Sequence, residues 1–265
     1  MFDTHLHLTF PDYRDRVAES LAEARAAGVT GAITISTTTQ DCLAALALAE
    51  QHASANLYCS AGIHPLYSHV EPRAWGNLLK VVRSPRCVAW GEMGLDYHYE
   101  GPHRATQHGV LEEQLAFIAN AKREHGIDKP IVIHCREAFD ELIPILKESG
   151  FDPARFVFHC FTAGPREMRM LLDFGAMVSF TGVATYKNAA EVQEAAKIVP
   201  RDRFMIETDA PFLSPTPHRG VRPNQPKFAR VTAEFVADLR GERWDEFHAQ
   251  INRNTERFFG FERVD

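Results

Sequence analysis

Short apolar, β-rich runs alternate along this chain with longer segments in which apolar residues recur at helical spacing. The runs are FDTHLHL at 2–8, VTGAITIST at 29–37, LYCSAGIHP at 57–65, VAWGEMGLDY at 88–97, PIVIHC at 130–135, RFVFHCF at 155–161, AMVSFTG at 176–182 and FMIETDAPF at 204–212. Between them, DYRDRVAESLAEARAAG reads as a helix stopped by Gly28, and three further helical patterns stop at Gly126, Gly150 and Gly175, the last with Pro165 near its start. Strand and helix in strict alternation predict a parallel sheet wrapped by helices. Eight strands favour a closed barrel, so the expected fold is α/β, a TIM (β/α)8 barrel. After the eighth strand the loop SPTPHRGVRPNQP is too rich in proline for helix, and two helical patterns follow it, which adds one C-terminal helix to the eight of the barrel. Nothing marks a linker, a repeat or a low-complexity tract, and a single domain over 1–265 is expected.

Composition narrows the class. A length of 265 residues suits one such barrel, and 45% hydrophobic with 24% charged residues is a folded, water-compatible chain. The net charge of -6 argues against holding nucleic acid by bulk electrostatics, so an anionic substrate would need local cations. No apolar run approaches the roughly 18–20 residues of a membrane helix. The start, MFDTHLHLTF, lacks a basic segment followed by an apolar one, which predicts a cytoplasmic protein with no membrane partner. Five widely spaced cysteines without a C-x-x-C pair speak against a disulfide framework and against a thiolate zinc site.

The 13 histidines change the picture, because of where they fall. In a barrel of this kind active sites lie at the C-terminal ends of the strands. His5 and His7 end the first run, and residues two apart on a strand point the same way. His64 ends the third, Glu92 lies in the fourth, His134 ends the fifth, His159 lies in the sixth and Asp209 in the eighth. Apolar strands such as IVIH and FVFH have no packing reason to end in imidazole, so the set reads as a metal site. Imidazole and carboxylate without thiolate suit zinc, manganese, iron or nickel better than magnesium. Four of the histidines, His5, His7, His134 and His159, with Glu92 and Asp209 exceed the need of one ion and point to two divalent ions roughly 3.5–4 Å apart, with Glu92 as the bridging carboxylate. Cys135 and Cys160, each next to one of these histidines, should turn toward the helical layer as packing residues. Glu207, two residues before Asp209, should orient a ligand from deeper in the barrel. Arg136, Lys187, His218 and Arg219 follow strands and supply cations over the mouth, with Arg136 and Arg219 suited to clamp phosphate.

These residues sit in motifs that resemble, over the whole chain, the TatD family of metal-dependent deoxyribonucleases within the amidohydrolase-like barrel superfamily. The motifs are DTHLHL at the start, GIHP at 62–65, GEMGLDYH at 91–98, KPIVIHCREA at 129–138, FHCFTAG at 158–164, SFTGVATYKNA at 179–189 and ETDAPFLSPTPHRGVRPNQP from 207. The resemblance implies that His5, His7, Glu92 and Asp209 hold one divalent ion and that Glu92, His134 and His159 hold a second. It also implies that His64, His218 and Arg219 touch a substrate phosphate. Met93 departs from the family, which commonly has a smaller polar residue there; metal binding should not suffer.

Together these readings predict phosphodiester hydrolysis by water activated at two metals, with Asp209 as the proton acceptor and Glu92 indispensable. A barrel mouth holds few nucleotides and the acidic chain offers no long basic groove. Single-stranded DNA ends, cut 3′ to 5′ as in the resembled family, are therefore the expected substrate, with no obligate protein partner. Tyr67, Tyr97, His98, Phe161 and Tyr186 are candidates to stack on a base or simply to pack. Two other readings stand beside this one. The same site could cleave an ester or amide, including a D-aminoacyl-tRNA, or the chain could be a noncatalytic metal- or nucleic-acid-binding module.

Overall fold

The computed structural model describes residues 1–260. The order is β1 (Phe2–Leu6), α1 (Val17–Ala26), β2 (Gly31–Thr34), α2 (Asp41–Gln51), β3 (Leu57–Ala61), α3 (Trp75–Val82), β4 (Cys87–Asp96) and α4 (Arg104–His125). It continues with β5 (Ile131–Arg136), α5 (Phe139–Glu148), β6 (Phe156–Phe158), α6 (Pro165–Phe174), β7 (Met177–Phe180), α7 (Ala190–Ile198), β8 (Phe204–Ile206), α8 (Ala229–Arg240) and α9 (Trp244–Phe259). The strands pair in parallel in sequence order, and a bridge from Leu6 to Ala210 brings the eighth segment back to the first. Asp209 N–H donates to the His5 carbonyl at 2.9 Å and His7 N–H to that of Ala210 at 2.7 Å, so the seam runs through candidate ligands.

Alternation along the strands sorts the core into two layers. Inward residues such as Ile33, Ile35, Val132, Val157, Met177 and Met205 form one cluster, which Phe258 and Phe259 at the end of α9 join. Outward residues such as Leu57, Ile131, Ile133 and Phe156 pack under the helices. The extra helix expected from the sequence is α9, and it is built into the barrel wall: Asn254 donates to the carbonyls of Arg201 and Phe204 at 2.8 Å, and Phe247 lies 5.7 Å from the Phe204 ring. The predicted stops are present too; at α6, Pro165 opens the helix, Glu167 accepts from Gly164 N–H at 3.2 Å, and left-handed Gly175 ends it.

Six of the eight strands are shorter than their apolar runs. β1 stops at Leu6, β3 at Ala61, β6 at Phe158 and β8 at Ile206, so His7, His64, His159 and Asp209 stand on the turns just beyond. Two of these turns use left-handed residues, Cys160 at φ 47° and Asp209 at φ 54°, which breaks the strict alternation of an extended strand. Cys160 is turned into the central cleft by that break rather than toward the helices, which corrects the expectation for it, whereas Cys135 packs against the outer core as expected and only its edge touches the cleft wall.

β4 is the longest strand, buried along all 10 residues. Gly91 and Gly94, at φ 110° and 148°, let it press against β5: a Cβ at 94 would lie 1.9 Å from the His134 carbonyl oxygen, and one at 91 would lie 2.5 Å from that of Val132. The register shifts between Trp90 and Met93 at this contact. Glu92 is thereby carried to the middle of the mouth, while Met93 faces the outer core, away from it.

Candidate metal centre

Glu92 stands at the centre of the cluster, and its two oxygens face different partners. Oε2 lies 3.2 Å from His5 Nε2 and 3.9 Å from His7 Nε2, and both imidazoles also face Asp209 Oδ1, at 3.8 and 3.4 Å. Oε1 lies 2.6 Å from His159 Nε2, 2.7 Å from His134 Nδ1 and 3.3 Å from His64 Nε2. Asp209 and His134 are the most exposed members of the cluster, with 14% and 16% of their side chains open.

The outer nitrogens of these rings assign the tautomers. His7 Nδ1 meets the Ile35 carbonyl at 3.1 Å, His134 Nε2 meets Asp96 Oδ2 at 2.8 Å, and His159 Nδ1 meets Glu207 Oε1 at 3.3 Å. Each partner accepts a hydrogen, so the opposite nitrogen of each neutral ring turns a lone pair toward Glu92. This is how an outer carboxylate or carbonyl orients a metal-binding histidine. His64 is different. Its Nδ1 accepts from Leu66 N–H at 3.0 Å, so in the neutral ring Nε2 carries the hydrogen and is a donor rather than a ligand.

This arrangement tests the fit to a cation. His159 Nε2 and His134 Nδ1, 3.4 Å apart, converge with Glu92 Oε1, and three lone pairs so close repel unless a proton or a cation lies among them. His5 Nδ1, His5 Nε2 and Glu92 Oε2 are buried without a hydrogen-bond partner among the described residues, a costly state unless something else satisfies them. Ligand atoms of His5, His7 and Glu92 and of His5, His159 and Asp209 each gather within 4.8 Å of one another, and so do those of His64, Glu92 and His134, where His64 presents its donor. The donor set therefore fits one or more divalent ions.

Protonation of the cluster's own groups shows the same competition. Burial works against charge on Glu92, yet the imidazoles of His159, His64 and His5 outweigh it and hold the carboxyl well below its usual range. Burial likewise disfavours a charged His159, but Glu92 and Glu207 raise it well above an ordinary imidazole. Burial, reinforced by the stacked His159 ring 3.7 Å away, lowers His5. His7 is pulled down by burial and up more strongly by Asp209, whose own carboxyl is held low against burial by that bond.

With this geometry, residues 2–260 match the family described as TatD-related DNase. The chain belongs to that family. It is a TatD-family metal-dependent hydrolase, and relatives cover it nearly end to end. A metal-dependent hydrolase named YcfH from Escherichia coli K12, uncharacterised, is 34% identical over 262 residues, spanning 98% of this chain and 95% of that protein. A protein from Erwinia amylovora named 3′-5′ ssDNA/RNA exonuclease TatD is 34% identical over 270 residues, spanning 98% of this chain and 100% of its own. Among solved structures, the TatD homologue YJJV of Escherichia coli K12 superposes with a TM-score of 0.89 at 29% identity, covering 99% of this chain and 98% of that one.

In this TatD-family chain the cluster floors a cleft of about 500 Å³ lined by His7, His64, Glu92, His134, His159 and Asp209 among others. Arg136 lies on the wall, its guanidinium 5.3 Å from the Tyr99 ring centre and donating to the Tyr99 hydroxyl at 3.4 Å. Glu207 is buried beneath, accepting from Cys160 N–H at 2.7 Å and Ser179 Oγ at 2.6 Å, as an orienting residue should. Two expected phosphate contacts do not line the cleft: the His218 ring stacks on Phe228 at 4.4 Å, and the Arg219 guanidinium lies 3.7 Å over the Tyr186 ring. Lys187 is exposed. Of the suggested stacking residues, Phe161 and Tyr186 are buried, Tyr97 bonds His108 and Glu141, and His98 pairs with Glu137, which leaves Tyr67 on the cleft wall.

Several residues escaped the sequence reading. Asp96 orients His134, and its signal was available, since it lies four residues beyond Glu92 on the same face of one strand. Asp3 accepts from Thr208 N–H at 2.9 Å and Thr208 Oγ at 2.6 Å, and Asn224 donates to the Thr208 and Phe212 carbonyls at 3.1 and 2.5 Å. These bonds hold the left-handed turn that carries Asp209. Phe10, Phe212 and Tyr99 line the cleft from loops, where periodicity is silent. No helix among the described residues is long and apolar enough to cross a membrane.

Proposed function

We propose that this chain hydrolyses phosphodiester bonds of DNA at single-stranded 3′ ends, with His5, His7, Glu92 and Asp209 holding one divalent ion and Glu92, His134 and His159 a second. The observation that carries the reading is Glu92, whose two oxygens are divided between two sets of imidazoles. The relative named as an exonuclease supports the choice of substrate. Such ions, when bound, would supply positive charge to the phosphate and acidify the attacking water.

The chain's own groups do the rest. Asp209, ionised and partly open to the cleft, accepts the proton of the water that attacks phosphorus. His64, with its hydrogen on Nε2, hydrogen-bonds a phosphate oxygen or the departing 3′ oxygen as the bond from phosphorus breaks, and that oxygen is protonated by the proton that Asp209 took from the water or by solvent. Arg136, half-buried on the wall, binds the nonbridging oxygens. Asp96 and Glu207 keep the His134 and His159 lone pairs aimed inward. His218 and Arg219 have no part in this step unless the substrate extends past Tyr186.

The test is a panel of 3′-free and 3′-blocked single strands, duplex DNA and a D-aminoacyl-tRNA, each with several divalent metals. Rapid loss of the free single strand alone is expected. Equal loss of the blocked strand overturns the exonuclease reading, and turnover of the aminoacyl ester alone overturns the nuclease. Glu92→Ala should lose both bound metal and activity; a fully active variant refutes the two-metal assignment.

A further inference from the structure

We propose that the aromatic walls of the cleft form two stacking platforms, one for the nucleobase on each side of the scissile phosphate. This inference rests on the nuclease reading and deepens it.

One platform is built on the β1 and β8 loops. The Phe10 ring stacks on His7 at 4.9 Å, and Phe212, 49% exposed, meets Phe10 edge to face at 6.0 Å and 82°. Phe212 N–H donates to the Asp209 carbonyl at 2.9 Å and Phe10 N–H to that of His7 at 3.2 Å, so both rings are fixed to residues of the cluster. The other platform follows β3 and β4. Tyr67 meets His64 edge to face at 5.9 Å, and Tyr99, 52% exposed, carries the Arg136 guanidinium over its ring. With the strands in sequence order, β8 lies across the mouth from β4, while β1 and β3 are separated by β2 alone. The carboxylate of Glu92 sits between.

Large apolar rings left open beside a buried polar cluster ask for a flat, apolar ligand, and unstacked bases are flat, with two π faces. Arg136 beside Tyr99 adds the charge that a phosphate between two bases requires. The consequence is a preference for single strands that does not come from the metals, because bases in a duplex are already stacked on each other. Stacking also ignores base identity, so little sequence preference follows.

The probe is a dinucleotide with a hydrolysis-resistant phosphorothioate linkage and 2-aminopurine at either position, mixed with the protein as purified. Binding, followed by anisotropy of a terminal dye, should quench 2-aminopurine in both positions. Phe212→Ala should relieve the quenching at one position and Tyr99→Ala at the other, each with unchanged metal content. In turnover, an abasic nucleotide should be a poor substrate for the wild type, and Phe212→Ala should lose about 5- to 100-fold in kcat/KM on the normal strand while cutting the abasic one as before. Binding without quenching, or equal use of normal and abasic strands, overturns the platforms and leaves the nuclease intact. Neither binding nor hydrolysis of any strand overturns both.

Discussion

Replacing Gly94 with alanine should separate β4 from β5 and pull the centre apart. The added Cβ would start 1.9 Å from the His134 carbonyl oxygen, where real Cβ contacts stay beyond 3.0 Å, so the strands must part by about 1 Å or more. No side chain can absorb this, since the obstacle is backbone and φ is 148°. Overpacking and a forbidden backbone region each cost about 1–3 kcal/mol, so roughly 2–6 kcal/mol of stability is at stake. At about 2 °C per kcal/mol for a chain of this size, Tm should fall by roughly 4–12 °C. The atom displaced belongs to His134 itself, and an error of about 1 Å in a catalytic constellation costs on the order of 100-fold. Differential scanning calorimetry, metal content and turnover of a labelled single strand measure the three effects. Gly109→Ala is the control: it lies in α4 with nothing near its Cβ, and should raise stability by about 0.5–1 kcal/mol. A Gly94→Ala protein with unchanged Tm and activity would refute the reasoning.

Four other outcomes are expected. Adding a tightly bound divalent ion at about 100 times its Kd should stabilise the protein by about 2.7 kcal/mol, reversed by chelator; a Tm indifferent to both would mean the cluster does not ligate. Asp96→Ala should weaken metal binding about 10- to 100-fold by freeing the His134 ring, as read by competition with a chromogenic chelator. His64→Ala should keep its full metal content yet lose on the order of 100-fold in kcat, and a variant short of metal would show His64 to be a ligand instead. Burial pushes the Cys42 thiol up to about 12, so at pH 8 it should resist a thiol reagent until the protein is unfolded; prompt labelling of Cys42 in the native state, located by mass spectrometry, would contradict its burial.

The barrel and the centre of its site were legible because both rest on periodicity. His134 follows directly on the apolar run of its strand, and Glu92 lies in the fourth run, although it is the register shift between the outward-facing Trp90 and Met93 that turns it inward. What lies past the strands was not. Cys160 faces the cleft because its backbone is left-handed, and His218 and Arg219 leave the cleft because Phe228 and Tyr186 offer them faces to stack on. Such choices depend on contacts between segments distant in the chain. The distinction between His64 and the other imidazoles was equally hidden, since it turns on one N–H from Leu66.

The seam through the site bears on when the protein first becomes able to act. His5 belongs to the first strand and His7 to the turn just beyond it, and Asp209 joins them only where Leu6 meets Ala210. During synthesis, therefore, the chain emerges from the ribosome with His5 exposed long before its partner carboxylate exists. That half of the centre comes into being in the same event that closes the barrel, which couples competence for chemistry to completion of the fold.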